Sequence, residues 1–388
     1  MSHYFRFDDP IHFLFPIDGD CLNGADGRAD GEKLIVPVAV SAPDGAEILV
    51  NGIPATASSD GVFRVDVPVT GYRSTLVAEN RAGGGEARIT VFRLPMHEEK
   101  HYRLSSDDNI RFLMELNAGD YRSIFDHPYL AVYKKAHDLY GAQVHLNLFY
   151  AFDETARGCF SKPHPYFDLS MMTDRYKEEF RANADWLKLA FHSRSEFPDA
   201  PYRDASPETI TKDCIAVCRE IVRFAGAECI SDSTTVHFGE ANVPCVRALR
   251  ALGFRSLTGY FVVRPNGRPS VSYYAPVDLA EHVGARDFWV DTAEDMMFGR
   301  IDRVLNIGSL EEIRKDMRDI TRDPHRGGFV SVMIHEQYFY EDYRRYLFDF
   351  EERVLDTCRY LAGEGYTGAH ITDMTREPNL RENRMLLS

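Results

Sequence analysis

Two hydrophobic periods divide the chain. Over residues 1–95 apolar and polar positions alternate in short runs, as in Leu34-Ile35-Val36-Pro37-Val38-Ala39-Val40 and Gly61-Val62-Phe63-Arg64-Val65-Asp66-Val67. A strand with one buried face needs a repeat of two, because successive side chains point to opposite sides. Ala46-Glu47-Ile48-Leu49-Val50 and Ala87-Arg88-Ile89-Thr90-Val91-Phe92 add further runs, and Asp44-Gly45, Asn51-Gly52, Asp60-Gly61 and Gly83-Gly84-Gly85 separate them. Asn51-Gly52 predicts a tight two-residue hairpin. Strands at roughly ten-residue spacing without a helical period predict a β-sandwich of the immunoglobulin-like kind over 1–95.

After a short linker at 94–100 the pattern changes. Strand-like runs at 102–106, 143–149, 187–192, 234–238, 256–263, 287–290 and 329–335 alternate with helical stretches at 128–140, 173–185, 206–225, 244–252, 310–321 and 340–362. Such alternation implies parallel strands joined by crossover helices, and about seven or eight units favour an α/β barrel over an open sheet. Ser206-Pro207-Glu208 and Asn242-Val243-Pro244 read as helix starts, each with a capping residue and an early proline. A length of 388 residues agrees with two domains, a sandwich over 1–95 and a (β/α) barrel over 96–388.

Composition narrows the function classes. Apolar residues make up 44 % and charged residues 27 % of the chain, the balance of a globular protein. The net charge of -15 argues against nucleic acid and anionic membrane surfaces, which call for a cationic footprint. The expected partner is a small molecule or a glycan, with homo-oligomerisation left open. No apolar run of about 18 residues predicts a membrane span, and the first residues lack the pattern of a signal peptide. Seven scattered cysteines read as reduced thiols, so a cytoplasmic location is expected.

In a parallel barrel, reactive side chains gather where strands end. Four strand ends carry suitable groups. Asp107-Asp108 offers two carboxylates, one to bind a metal and one to move protons, although Asp108 or Asn109 could equally cap the next helix. His192 and Glu196, four residues apart, suit a first-row divalent ion. His335 ends an apolar strand where it could act as a general acid, or serve structure alone. Asp291 could hold His335 in one tautomer, or cap a helix with Thr292. His145 and Asn147 share one strand face and point toward a barrel interior, where His145 reads as a core histidine.

In order, Asp107-Asp108, His192-Ser193-x-x-Glu196, Asp291-x-x-x-Asp295 and the strand ending in His335 resemble the motif succession of the NodB-homology polysaccharide deacetylases, a carbohydrate esterase family. The first resembles the family's Thr-Phe-Asp-Asp motif, the second its His-Ser/Thr-x-x-His motif and the last its Leu-x-His strand. Val236-His237-Phe238-Gly239-Glu240-Ala241-Asn242 resembles its Arg-x-Pro-Tyr-Gly turn. The likeness spans residues 102–375. It implies a distorted (β/α) barrel of the NodB-homology type, and a metal-dependent hydrolase that cleaves a C–N acyl bond of an N-acetylated sugar or related amide. Asp107 would be the general base, Asp108 and His192 metal ligands, and Glu196 would stand where the family has a second metal histidine. His335 would protonate the leaving amine with Asp291 tuning it. Phe238 would lend a backbone amide to the substrate, with His237 and Tyr338 as further contacts.

Two departures bear on this. Glu196 in place of a histidine makes a harder ligand set, so iron, manganese or cobalt join zinc as candidates. Thr235 stands near the place of the motif's arginine. Both departures motivate a second reading, a catalytically weakened carbohydrate-binding or scaffold protein. A third keeps the enzyme and changes the bond to a cyclic amide, as in allantoinase-like relatives.

Overall fold

The computed structural model describes residues 4–5, 9–94 and 99–374. The expected linker falls largely, and the tail carrying Arg376, Arg381 and Arg384 wholly, outside the described residues.

The alternating runs near the N-terminus form two five-stranded sheets. Lys33–Ser41 pairs antiparallel with Val62–Val69 and with His12–Phe15, while Arg73–Asn80 pairs with Glu86–Arg93 and Ile48–Val50. Leu34, Val36, Val38 and Val40 occupy every second position of one strand and are buried with Val67, Leu76, Ala78 and Val91 in a core of their own. Asn51 (φ 48°) and Gly52 (φ 79°) make the expected hairpin between Ile48–Val50 and Ile53–Pro54.

The remainder is a distorted α/β barrel built on two sheets. Leu187–Ser193, Val144–Phe149, His101–Asn109, Phe329–His335 and Arg303–Val304 run side by side, all parallel, with Thr367–Gly368 added along His101–Asn109. The second sheet has the order Ser233–Thr234, Ser256–Gly259, Met296–Arg300, Phe288–Asp291. A parallel bridge between Leu189 and Ile230 brings the two sheets together. Helices Pro128–Tyr140, Pro207–Phe224, Val243–Leu252, Leu310–Ile320 and Phe350–Gly363 lie where the apolar period predicts helix, although the last begins ten residues later than its pattern. Ser206 and Asn242 cap their helices as expected.

Two expectations fail locally for a physical reason. The expected strand 234–238 stops at Thr234, because Phe238 takes φ 63° and turns the chain into a short 3-10 segment, His237–Gly239. The Phe288–Asp291 strand runs antiparallel to Met296–Arg300. The connection between them is too short for the crossover that parallel pairing requires.

The sandwich docks on this antiparallel corner. Val290 N–H donates to Gly19 O at 2.9 Å, and Arg286 holds Asp26 through hydrogen bonds of 2.8 and 3.1 Å. Gly19 (φ 86°) cannot be replaced freely, since a Cβ there would lie 1.9 Å from Val290 O. Cys21, Phe92 and Leu94 join Phe288, Val290, Met297 and Phe329 in one apolar cluster across the contact. All seven cysteines are buried and unbridged, and no helix among the described residues is long and apolar enough to cross a membrane.

Candidate metal centre

The site begins with an irregularity in the first barrel strand. Regular pleating would send Asp107 and Asp108 to opposite faces. Instead, the pairing of His101–Asn109 with Val144–Phe149 slips between Ser106 and Asn109, and Asp108 takes φ 63°. A bulge of this kind re-aims a side chain at the cost of local strain. Asp107 and Asp108 both face one pocket as a result.

Two histidines meet Asp108 there. His192 Nε2 lies 3.1 Å from Asp108 Oδ1, and His237 Nδ1 lies 3.4 Å from the same oxygen and 3.1 Å from His192 Nε2. The far nitrogen of each ring faces a backbone carbonyl: His192 Nδ1 donates to Thr235 O, and His237 Nε2 donates to Glu196 O at 2.8 Å. A carbonyl oxygen only accepts, so both protons are placed on the outer nitrogens. The inner nitrogens therefore present lone pairs toward each other and toward a carboxylate oxygen. Three electron-rich atoms at such separations repel unless a cation sits among them, and tetrahedral bonds of about 2.1 Å would separate ligands by about 3.4 Å. Among the described residues this trio of Asp108, His192 and His237, all buried, meets the geometry of a metal-ligand cluster.

The electrostatics agree. With no cation among the trio, a second proton on the imidazoles takes that place: burial alone would raise the Asp108 carboxyl, but the charge of His335 and hydrogen bonds from the protonated forms of His192 and His237 hold it well below the usual carboxylate range. Burial works to lower His192, and Asp107 and Asp108 overcome it and raise its pKa. The attraction drawn on a proton is the one a divalent ion would meet.

Around the trio, neighbours fix the reacting groups. Asn147 Nδ2 donates to Asp107 Oδ1 at 2.6 Å, and because a carboxylate only accepts, this contact sets the amide's orientation; Thr234 Oγ1, which donates to the Phe191 carbonyl, lies 3.1 Å from Asn147 Oδ1. His335 Nε2 stands 4.0 Å from Asp108 Oδ2, and its Nδ1 donates to Asn306 Oδ1 at 2.8 Å. The backbone N–H of His335 also points at that Asn306 atom, at 3.2 Å, which marks it as the oxygen. Glu336, the next residue, accepts from the backbone N–H groups of Ile110, Arg111 and Phe112 at 2.7, 3.0 and 2.6 Å. It thereby caps the helix Arg111–Ala118 that follows the two aspartates.

The other expected residues divide. Glu196 lines the pocket, but its carboxylate receives Gln337 Nε2, and its backbone carbonyl is what anchors His237. Burial, followed by the nearby Asp108 charge, pushes the Glu196 carboxyl up to about 8. The second imidazole beside Asp108 and His192 is that of His237, from a different turn. Phe238 and Tyr338 both line the pocket, Phe238 with 42 % of its surface exposed. Asp291 does not serve His335. Its carboxylate caps the turn through Ala293 N–H and Glu294 N–H and accepts from Tyr274 Oη, at the antiparallel corner under the sandwich. Asn306, unmarked by any motif, takes the role expected of it. Thr235 spends its hydroxyl on Thr258 and its carbonyl on His192.

The pocket has a volume of about 470 Å³ and a largely apolar lining, to which Tyr260, Val262, Ile301 and Ile307 contribute beside the trio.

No family model matches the sequence, and no curated relative matches it. Three of the solved structures to which the chain is similar are these. One is a family 4 acetyl xylan esterase from Clostridium thermocellum in complex with a cobalt ion, at 13 % identity over 71 % of this chain and 90 % of that one, TM-score 0.36. Another is a 4-alpha-glucanotransferase from Thermococcus litoralis, at 9 % identity over 71 % and 40 %, TM-score 0.44. The third is a CE4 family pseudoenzyme from Bacillus anthracis, at 11 % identity over 71 % and 65 %, TM-score 0.31. At these scores the likenesses place the chain in no family.

Proposed function

We propose that the chain is a divalent-metal-dependent hydrolase of the polysaccharide-deacetylase type, cleaving a C–N acyl bond of an N-acetylated amino sugar or related amide, with an immunoglobulin-like module at its N-terminus. The observation that carries this is the convergence of two imidazole lone pairs and a carboxylate beside Asp107 and His335. Asp108, His192 and His237 would hold the ion, and two imidazoles with one carboxylate suit zinc while admitting iron, manganese or cobalt. A divalent ion there supplies Lewis acidity toward an acyl oxygen and lowers the pKa of water. Asp107, held by Asn147, accepts the proton of the attacking water. His335 Nε2, its other nitrogen committed to Asn306, delivers a proton to the departing amine as the C–N bond breaks. The products are a carboxylic acid and a free amine. The second imidazole favours this reading over a weakened scaffold, because it answers the replaced histidine, one of the departures behind that alternative.

The test is metal analysis together with activity. Purified protein should bind about one equivalent of zinc or cobalt, and His237→Ala and Asp108→Ala should each lower metal affinity by at least about 100-fold. Asp107→Asn should keep the metal and lose acetate release from N-acetylated oligosaccharides. Full metal binding by both ligand variants would overturn the assignment.

A further inference from the structure

We propose that the substrate of this pocket carries an anionic substituent, a carboxylate, sulfate or phosphate, bound by three arginines at the pocket mouth. The inference rests on the hydrolase reading for the word substrate, but its physical basis is separate. Arg264, Arg344 and Arg345 all line the pocket that holds the metal trio, and all three are exposed. They come from two unrelated segments. Arg264 sits on the hairpin that joins Val262–Val263 to Pro269–Ser270, and Arg344 and Arg345 belong to the segment following the His335 strand.

What distinguishes these three is their common placement around one cavity. Acids outnumber bases 60 to 45 in the chain, and some exposed arginines pair with them, as Arg203 and Arg247 do with Glu240 and Glu294. Among the described residues, Arg264, Arg344 and Arg345 have no carboxylate within ion-pair distance. Arg264 Nη2 donates to Ser270 Oγ at 2.7 Å, which steadies its stem and leaves other N–H groups free to donate. Arg344 has the Tyr343 hydroxyl beside it and feels Glu196 only as a more distant charge. The nearest acid in sequence, Asp342, is already spent on Arg111 and His164.

Guanidinium groups are the preferred partners of carboxylate, sulfate and phosphate, because their planar donors match two oxygens at once. Three arginines around one cavity, with no carboxylate partner among the described residues, give that cavity a local positive charge that attracts an anion. A neutral N-acetylated sugar would fill the apolar wall and reach the trio, and would leave these donors to water. A sugar bearing a negative group would engage the arginines as well as the trio.

The experiment is calorimetric binding to the zinc-loaded protein of N-acetylglucosamine and of its 6-phosphate, 6-sulfate and uronic acid counterparts, the three charged arms separating the anion types. Expected is at least about tenfold tighter binding of one or more charged sugars than of the neutral one, with the gap shrinking in about 0.5 M salt. Arg344→Ala/Arg345→Ala with Arg264→Ala should bring the charged sugar to the neutral sugar's affinity and leave the neutral sugar unchanged. Equal binding of neutral and charged sugars by the native protein overturns the inference, as does a preference that survives the triple substitution. Acetate release from the same compounds is read in parallel. Charge preference without hydrolysis of any sugar would remove the hydrolase reading and keep the anion site; hydrolysis without charge preference would do the reverse.

Discussion

At the residue scale, the site depends on where single protons are placed. His192, His237 and His335 each turn one nitrogen to a fixed acceptor and the other to the pocket. Only the third of these acceptors is a side chain, Asn306, so it can be changed without altering the backbone. In Asn306→Ala, His335 loses its orienting partner, and turnover should fall about tenfold while metal content stays at the native level. Asn306→Asp keeps an acceptor and adds a charge, so it should retain turnover and move the alkaline limb of the rate profile to higher pH. A rate loss equal in both variants would assign Asn306 a purely structural part. None of this was visible in the sequence: Asn306 belongs to no motif, and the strand end ending in Asp291 offered a more familiar carboxylate. Asp291 is drawn off because its strand turns back sharply and its own turn amides take the charge.

At the element scale, the pocket is held by the ends of strands and by what ties those ends together. His101–Asn109 and Phe329–His335 are registered so that Asp107 stands opposite His335. Glu336 adds a second tie by reaching across to the first amides of Arg111–Ala118, one turn beyond Asp108. A buried carboxylate at a helix N-terminus satisfies donors that would otherwise be stranded. Glu336→Ala should therefore cost about 2–3 kcal/mol in thermal or urea unfolding. It should also weaken metal binding, because the bulge carrying Asp108 loses its anchor. Glu336→Gln keeps one acceptor oxygen and should fall between the two. An unchanged midpoint in Glu336→Ala would show that water replaces the cap. The elements themselves were largely legible from apolar period and caps. The bulge at Asp108 and the left-handed conformation of Phe238 were not, since neither residue is a glycine that would announce a positive φ, and Gly239 alone does not show that Phe238 shares it.

At the scale of the whole molecule, the barrel interior is polar. Arg103, Ser105 and Asp107 follow one another along the inner face of one strand, with His145 beside Ser105 and Ser331 beside Arg103 in register. His145 and His370 are both buried there. Burial, helped by the Arg103 charge, holds His145 well below the usual imidazole pKa, and burial with Lys188 and Arg103 brings His370 down to about 3. The sign follows from linkage. These rings stay neutral in the folded chain and protonate near pH 6.5 once unfolded, so the unfolded state takes up more protons as pH falls. Stability is intact above about pH 6.5 and should drop as pH falls to 5, by about 2 kcal/mol for His370 and in the same direction for His145. Unfolding midpoints measured from pH 7.5 to 5 should fall accordingly, and His370→Gln should flatten the slope. An equally steep loss in that variant would locate the acid sensitivity elsewhere.

The amino-acid order alone determined the two periodicities, the alternation of strand and helix, and the presence of Asp107, Asp108, His192 and His335 at strand ends, because these depend on neighbours in the chain. Which imidazole joined Asp108 was decided only in three dimensions. Position 196 lies four residues from His192 and looked like its partner, yet the strand ends there without a helical turn, and its side chain swings to Gln337. His237 arrives from a turn whose positive φ at Phe238 no local pattern specified. Convergence on one point is a property of long-range packing, and spacing along the chain does not encode it.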